Sequence, residues 1–257
     1  IPRQPNGQAD LLQLEELLKK ERFFLISIQA ASNETGILQD WKAIANLAKK
    51  YETPFHSDMV QWIGRLPIDF EDTQPSSATF SFHKSGGIRA SSVFYLNKET
   101  QWQPNLCGGG QEKKRWAGTE NVLSIASIEA FFNELDSFIE DYQSRVKPIR
   151  DEFEKRLIEQ VPETVIVGQD ADRLPNTSFC IFPGMPSDLL LMSLDLKNIC
   201  ASAGSACSTG LSLPSSTLQK LGFSKEDSQS AIRFSLGASS SADQVAPVIE
   251  AVGERGT

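Results

Sequence analysis

The sequence predicts an α/β fold, with a mostly parallel sheet over residues 1–147 and a smaller α+β region over 148–257. Two observations carry this expectation. In the first region, stretches with apolar residues at helical spacing alternate with short, bulky apolar runs of strand length. In the second, short strand-like runs are interleaved with helical stretches. A third observation concerns function: the polar segments SNETG, DMVQ and HKSGG stand just past the ends of strand-like runs, where α/β sheets gather their functional residues.

Leu11, Leu12, Leu14, Leu17 and Leu18 recur at helical spacing, and FFLISIQ follows as a buried strand. Asp40 is placed to cap a second helix whose Trp41, Ile44, Ala45, Leu47 and Ala48 share one apolar face, and PFHSD supplies the next extended segment. ATFSF and SVFYL continue the alternation. From Thr119 a long helical stretch runs through SIASIEAFFNELDSFIEDYQSRV. Pro148 then stands inside a pattern that resumes as IRDEFEKRLIEQ, which predicts a kink or a boundary and places the domain division between 147 and 148. Beyond it TVIVG, TSFCIF, ICASA and AIRFSL read as strands, and SDLLLMSL, STLQKLG and ADQVAPVIEAV as helices.

With 257 residues, 40% of them hydrophobic, the chain is long enough to bury a substantial core. Its formal charge of -8 provides no basic stripe for nucleic acid or an anionic membrane, so small molecules and proteins are the expected partners. No apolar run approaches the roughly 20 residues that cross a bilayer, and the first residues lack the order of a signal peptide, so a cytoplasmic location is expected. The four cysteines form no CxxC pair, and the two histidines, His56 and His83, stand at no metal-ligand spacing. Neither a metal nor a disulfide framework is expected.

Three constellations could carry chemistry. In the first, Asp58 and Gln61 follow one strand, and Ser81, His83 and Lys84 follow another. A lysine there among small residues suits a Schiff base, Asp58 suits a pyridinium nitrogen, and Gln61 suits a ring oxygen. Taken singly, each is more simply a surface lysine, a helix cap or a turn residue. The second is CGGGQEKKRWAGTENV, in which glycines and Thr119 at a helix start suit a phosphate, although a plain cap by Thr119 is the simpler reading. The third is ICASAGSACSTGLSLPSS, where Cys207 lies among residues with little bulk to bury it, whereas Cys180 in TSFCIF fits a buried strand. Arg233 stands in an apolar strand pattern and calls for a partner, either a substrate carboxylate or a structural acid.

In their order along the chain, SNETG, FHSDMVQWIGRLPIDF, SFHKSGG, GGGQE, AGTENV, LPNTSF, ASAGSACSTG and AIRFSLG resemble the cysteine desulfurases. These are pyridoxal-phosphate enzymes of fold type I in the class V aminotransferase family, and the SGSAC segment resembles the group with a long cysteine loop. The resemblance covers almost the whole chain. It implies the later part of a large cofactor-binding domain and a small C-terminal domain carrying the cysteine loop. By position it implies Lys84 as the Schiff-base lysine, Ser81 and His83 beside the cofactor phosphate or ring, Asp58 at the pyridinium and Gln61 at the ring oxygen. Asn33 is implied near the cofactor oxygen and the substrate carboxylate, Thr119 at the phosphate of the other subunit of a homodimer, Arg233 at the substrate carboxylate and Cys207 as the persulfide carrier. The implied reaction takes L-cysteine to L-alanine and passes sulfur from Cys207 to an acceptor such as an iron–sulfur scaffold protein.

The chain departs from that pattern in several places. Nothing before Asn33 resembles the family's N-terminal phosphate loop and ring-stacking histidine, which predicts a weakly held or absent cofactor. Ile88, Arg89, Ala90, Ser91 and Ser92 replace a run with two glycines, Trp116 replaces an arginine, Leu213 an acidic residue and Ala238 an arginine. Two other readings stay open: a related lyase acting on selenocysteine or cystine, and a cofactor-free fragment serving as a sulfur-carrier or dimerisation module.

Overall fold

The computed structural model describes residues 1–204 and 214–254, and the chain divides into two compact units. One holds Leu11–Ala30 and Asp40–Ser137; the other holds Ile1–Asp10, Ala31–Gln39 and the chain from Phe138 onward.

In the first unit α1 (Leu11–Lys20) leads to β1 (Ile26–Gln29) and α2 (Trp41–Lys50) to β2 (Phe55–Asp58), with β3 (Ser77–Ser81) and β4 (Ser92–Leu96) following. The sheet order is β1-β2-β3-β4; the first two pairings are parallel and β4 returns antiparallel to β3. A mostly parallel sheet therefore forms as the alternation predicts. Asp40 caps α2 as expected, its Oδ1 accepting the Ala43 amide at 2.9 Å, and Trp41, Ile44, Ala45 and Ala48 are buried.

The period-2 alternation of strands gives this sheet two unlike faces. Phe55, Ser57, Ala78 and Phe80 are buried on one. There Phe70 packs edge-on against Trp41 of α2, with ring centroids 5.5 Å apart, and lies 4.8 Å from Tyr95 of β4. The register places His56, Asp58, Thr79, Ser81 and Phe94 on the opposite face. Phe94 meets Trp102 at 5.0 Å and stays 46% exposed.

After β4 comes a one-turn helix, α3 (Gln111–Lys114), with Glu112 and Lys113 in the left-handed region. The helix expected from Thr119 starts later, as α4 (Val122–Asn133). Asn121 is its cap, accepting the Ser124 amide at 3.1 Å, and Thr119 lies exposed two residues upstream. Both residue types cap helices, so the sequence does not separate them. Phe131 of α4 packs edge-on against Phe82 at 5.0 Å. The long helical stretch is interrupted at Glu134, beyond which α5 (Leu135–Asp141) begins.

In the second unit a π-helical turn over Tyr142–Val146 precedes α6 (Lys147–Gln160), with Pro148 in its first turn. Pro148 thus stands where the hydrogen-bond spacing changes and a missing amide is tolerated. An antiparallel sheet β5-β6-β7 follows, from β5 (Val165–Ile166), β6 (Thr177–Ile181) and β7 (Ala231–Ser235). The remaining helices are α7 (Ser187–Leu196), α8 (Ser216–Lys220), α9 (Lys225–Gln229) and α10 (Val245–Gly253).

Every residue of β6 is buried because both its faces are covered. Cys180 packs in a cluster with Phe153, Leu157, Leu194 and Ile249, whereas Phe179 and Ile181 pack with Val167, Leu218 and Ala231. ICASA does not form the expected strand. Only Ser202 bridges, to Arg233, because the flanking small residues offer little side chain to bury against a sheet.

Residues 31–39 are held in this unit by the Leu174 amide donating to the Gly36 carbonyl and the Leu38 amide to the Asp172 carbonyl, both at 2.8 Å. Gly36 has φ +74, and a Cβ there would stand 3.0 Å from Thr177 Cβ. A glycine is required on both counts. Among the described residues, no helix is long and apolar enough to cross a membrane.

One ion pair of this unit is buried. Arg173 donates Nη1 and Nη2 to the two Glu154 oxygens, each at 2.7 Å, with side chains 6% and 9% exposed. Arg173→Met strands the Glu154 carboxylate and is expected to cost about 3–5 kcal/mol, while Arg173→Met with Glu154→Leu recovers most of that. Urea unfolding of both variants measures it; a single variant as stable as the parent contradicts the assignment.

Candidate functional site

The parallel register of β2 and β3 assembles one group of candidate residues. Asp58 ends β2 with its side chain exposed, and its Oδ1 accepts the Val60 amide at 2.9 Å, a local turn that sets the direction of the carboxylate. Asp58 pairs with Thr79, so Ser81, two residues on, ends β3 on the same face. Ser81 Oγ and His83 Nδ1 share a hydrogen bond of 2.8 Å. Lys84 follows in the 3-10 turn Phe82–Ser85, its side chain exposed, and Gly86 closes that turn at φ +95. Asp58, Ser81, His83 and Lys84 thus gather at the C-terminal ends of two adjacent strands. Thr119 belongs to the same unit, exposed in the loop before α4.

One residue that the sequence reading passed over ties this group together. Arg65 is 5% exposed; its Nη1 donates to the Gln61 carbonyl at 2.9 Å and its Nη2 to the Lys84 carbonyl at 2.6 Å. A single planar guanidinium therefore joins the turn that carries Gln61 to the turn that carries Lys84. The signal was available. A charge inside the apolar run IGRLPI is the pattern that singled out Arg233.

His56 lies two residues before Asp58 on the same face, its Nδ1 2.9 Å from Ser77 Oγ. Burial pushes its pKa down, opposed by the Asp58 charge.

A separate polar group lies in the other unit. Arg233 sits on β7 opposite Phe179 and donates Nη1 to the Asn33 carbonyl at 2.6 Å and Nη2 to Ser202 Oγ at 3.1 Å. The main chain of Asn33 is what meets Arg233. Next to it, Glu34 accepts the Ser215 hydroxyl on Oε2 at 2.5 Å and the Thr217 hydroxyl on Oε1 at 2.9 Å. Cys207 and Leu213 lie outside the described residues. Among the other cysteines, Cys107 and Cys200 are exposed, while burial pushes the Cys180 thiol up to about 12.

The donor set at the strand ends fits a pyridoxal-phosphate group: an exposed carboxylate, a hydroxyl–imidazole pair and an exposed amine on one face. The departures from the family pattern have local structural correlates. Ala90, which stands where the pattern has a glycine, has φ +65 in the left-handed region. Ala238, which stands where it has an arginine, offers its carbonyl to Arg145 Nη2 at 2.9 Å.

The chain matches the family model for aminotransferase class-V over residues 1–248. It is 31% identical to the cysteine desulfurase NifS of Azotobacter vinelandii over 98% of this chain and 62% of that protein. It is 34% identical to a cysteine desulfurase of Sinorhizobium fredii over 98% of this chain and 66% of that one. In structure it is similar to a NifS-like protein of Rickettsia africae, with a TM-score of 0.88 at 37% identity over 99% of this chain and 68% of that one. The chain thus spans a little under two thirds of the length of these two curated relatives.

Two outcomes are expected. Ala90→Gly relieves the left-handed strain and stabilises the protein by up to about 1 kcal/mol in urea unfolding, the gain being reduced by the looser unfolded chain. Under native conditions at mildly alkaline pH, iodoacetamide modifies Cys107 and Cys200 and leaves Cys180 untouched, as peptide mass spectrometry would record.

Proposed function

We propose, from the premise that this chain belongs to the aminotransferase class-V family, that it is the larger part of a pyridoxal-phosphate-dependent cysteine desulfurase. The single observation that carries this reading is the grouping of Asp58, Ser81, His83 and Lys84 at adjacent strand ends, with the Gln61 and Lys84 turns joined by Arg65. The relatives named cysteine desulfurase, at 31% and 34% identity, support the choice of substrate within the family.

In this reading Lys84 would hold the cofactor and its amine would move the substrate α-proton. Asp58 would keep a proton on the ring nitrogen, Gln61 would donate to the ring oxygen, and Ser81 and His83 would contact the phosphate or ring. The cofactor, when bound, supplies the electron sink that labilises bonds at the substrate α-carbon and its neighbours. Arg233 binds the substrate carboxylate with Asn33 beside it. The Cys207 thiolate forms a new S–S bond as the Cβ–Sγ bond of L-cysteine breaks, and the electron pair of that bond stays with the carbon skeleton that leaves as L-alanine. The Cys207 persulfide then passes its outer sulfur to an acceptor protein such as an iron–sulfur scaffold. Thr119 reaches the phosphate of the second subunit in a homodimer, and the protein works in the cytoplasm.

The test uses the chain with added pyridoxal phosphate. A long-wavelength absorbance band is expected that Lys84→Ala abolishes together with alanine release. Cys207→Ser is expected to keep the band and lose sulfide release under a thiol reductant. A chain with no Lys84-dependent band overturns the reading, and undiminished turnover in Cys207→Ser removes the persulfide step.

A further inference from the structure

The described residues that follow 205–213, the segment in which Cys207 lies, converge on one carboxylate, and those that precede it pass close by. On the N-terminal side, Ser202 exchanges two backbone hydrogen bonds with Arg233, at 2.7 and 3.1 Å. Gly204 then takes φ +62, and a Cβ built there would stand 3.4 Å from Glu34 Oε2. On the C-terminal side, Ser215 and Thr217 donate their hydroxyls to the two oxygens of Glu34 at 2.5 and 2.9 Å. Ser215 also caps α8, its Oγ accepting the Leu218 amide at 3.2 Å, so the same hydroxyl starts that helix and ties it to Glu34.

Glu34 is itself held in place. The amides of Glu34 and Thr35 donate to Ser32 Oγ at 3.3 and 3.1 Å, and the Ser32 amide donates to the Ile37 carbonyl at 2.9 Å. Gly36 is packed on Thr177. The side chain therefore projects from an ordered turn, and its two oxygens are engaged by hydroxyl groups placed 181 and 183 residues later in the chain. Hydroxyl-to-carboxylate bonds are the shorter and stronger kind. The preceding residue, Asn33, is the one whose carbonyl receives Arg233.

We propose that Glu34 is a positioning residue: its carboxylate pins the chain that follows the segment carrying Cys207 and so helps that segment deliver its thiol. The functional half of this statement rests on the reading of Cys207 as the sulfur carrier; the structural half does not. Losing the carboxylate releases Ser215 and Thr217 together. Losing one hydroxyl releases one contact and leaves the Ser215 cap of α8 intact when Thr217 is the residue changed.

Hydrogen exchange with peptide mass spectrometry on Glu34→Ala, Thr217→Val and the double variant tests it. Amides over 214–221 are expected to exchange about tenfold faster in each single variant, as loss of a charge-assisted hydrogen bond implies. The double variant is expected to add less than the product of the two, because the residues share one interaction. Thr217→Val keeps the proposal testable if Glu34→Ala folds poorly. With cofactor and cysteine, Glu34→Ala is expected to load sulfur on Cys207 several-fold more slowly, with KM for cysteine and the Lys84-dependent band retained. Unchanged exchange at 214–221 overturns the proposal whatever the enzyme does, and accelerated exchange with undiminished loading overturns the positioning role. Accelerated exchange in variant and parent chains that both load no sulfur leaves the pin standing and overturns the desulfurase reading instead.

Discussion

The close approach of Gly36 to Thr177 is the constraint on which the second unit's chemistry depends. At φ +74, with a would-be Cβ 3.0 Å from the Thr177 side chain, no other residue sits there without displacing β6 or the turn. That contact seats residues 31–39 beside the antiparallel sheet, although they leave the chain directly after a strand of the parallel one. Asn33 meets Arg233 and Glu34 meets Ser215 and Thr217 only because this turn is in place. A glycine that looks like an ordinary loop residue thus governs three polar contacts that span 181 to 200 residues of sequence.

The first unit works by a different device. Two parallel pairings, β1 with β2 and β2 with β3, fix which side chains share a face, and a one-residue slip of β3 would turn Ser81 away from Asp58. Register brings the residues to the same end, and Arg65 then fixes the turns that leave those ends. The guanidinium holds two carbonyls that would otherwise face a buried region without that donor, so it serves packing and site geometry at once. The open face beside them, with the His56 pKa pushed down by burial and Phe94 tilted against Trp102, is polar at one end and aromatic at the other.

Local signals were legible in the sequence, and distant ones were not. The strands within PFHSD, ATFSF and SVFYL, and the Asp40 cap, follow from bulk, alternation and capping chemistry within a few residues; FFLISIQ, expected as a buried strand, forms one only over Ile26–Gln29, and Phe23, Phe24 and Leu25 stand exposed before it. The family was legible because eight short motifs occur in one order. Thr119 and Asn121 are both good caps two residues apart, and only the packed position of α4 separates them. ICASA reads as a strand by its neighbours but has too little side chain to hold one beyond the single bridge at Ser202. The partners of Glu34 lie 181 and 183 residues away, a separation at which neither periodicity nor spacing carries information. Arg65 is the exception: its signal, a charge inside a short apolar run, is local, and only its two acceptors lie in separate turns.

Arg233 shows how the two kinds of information must be combined. Its strand predicts a buried guanidinium in need of acceptors, and a backbone carbonyl and a hydroxyl are among those the structure supplies. Neutral acceptors bind a guanidinium less strongly than a carboxylate does, by roughly a factor of two in hydrogen-bond strength. These two bonds keep the Arg233 guanidinium oriented from the main chain of one turn and the side chain of another segment. Arg173 is held differently, by a buried carboxylate that takes both of its terminal nitrogens, so that pair serves the stability of the unit.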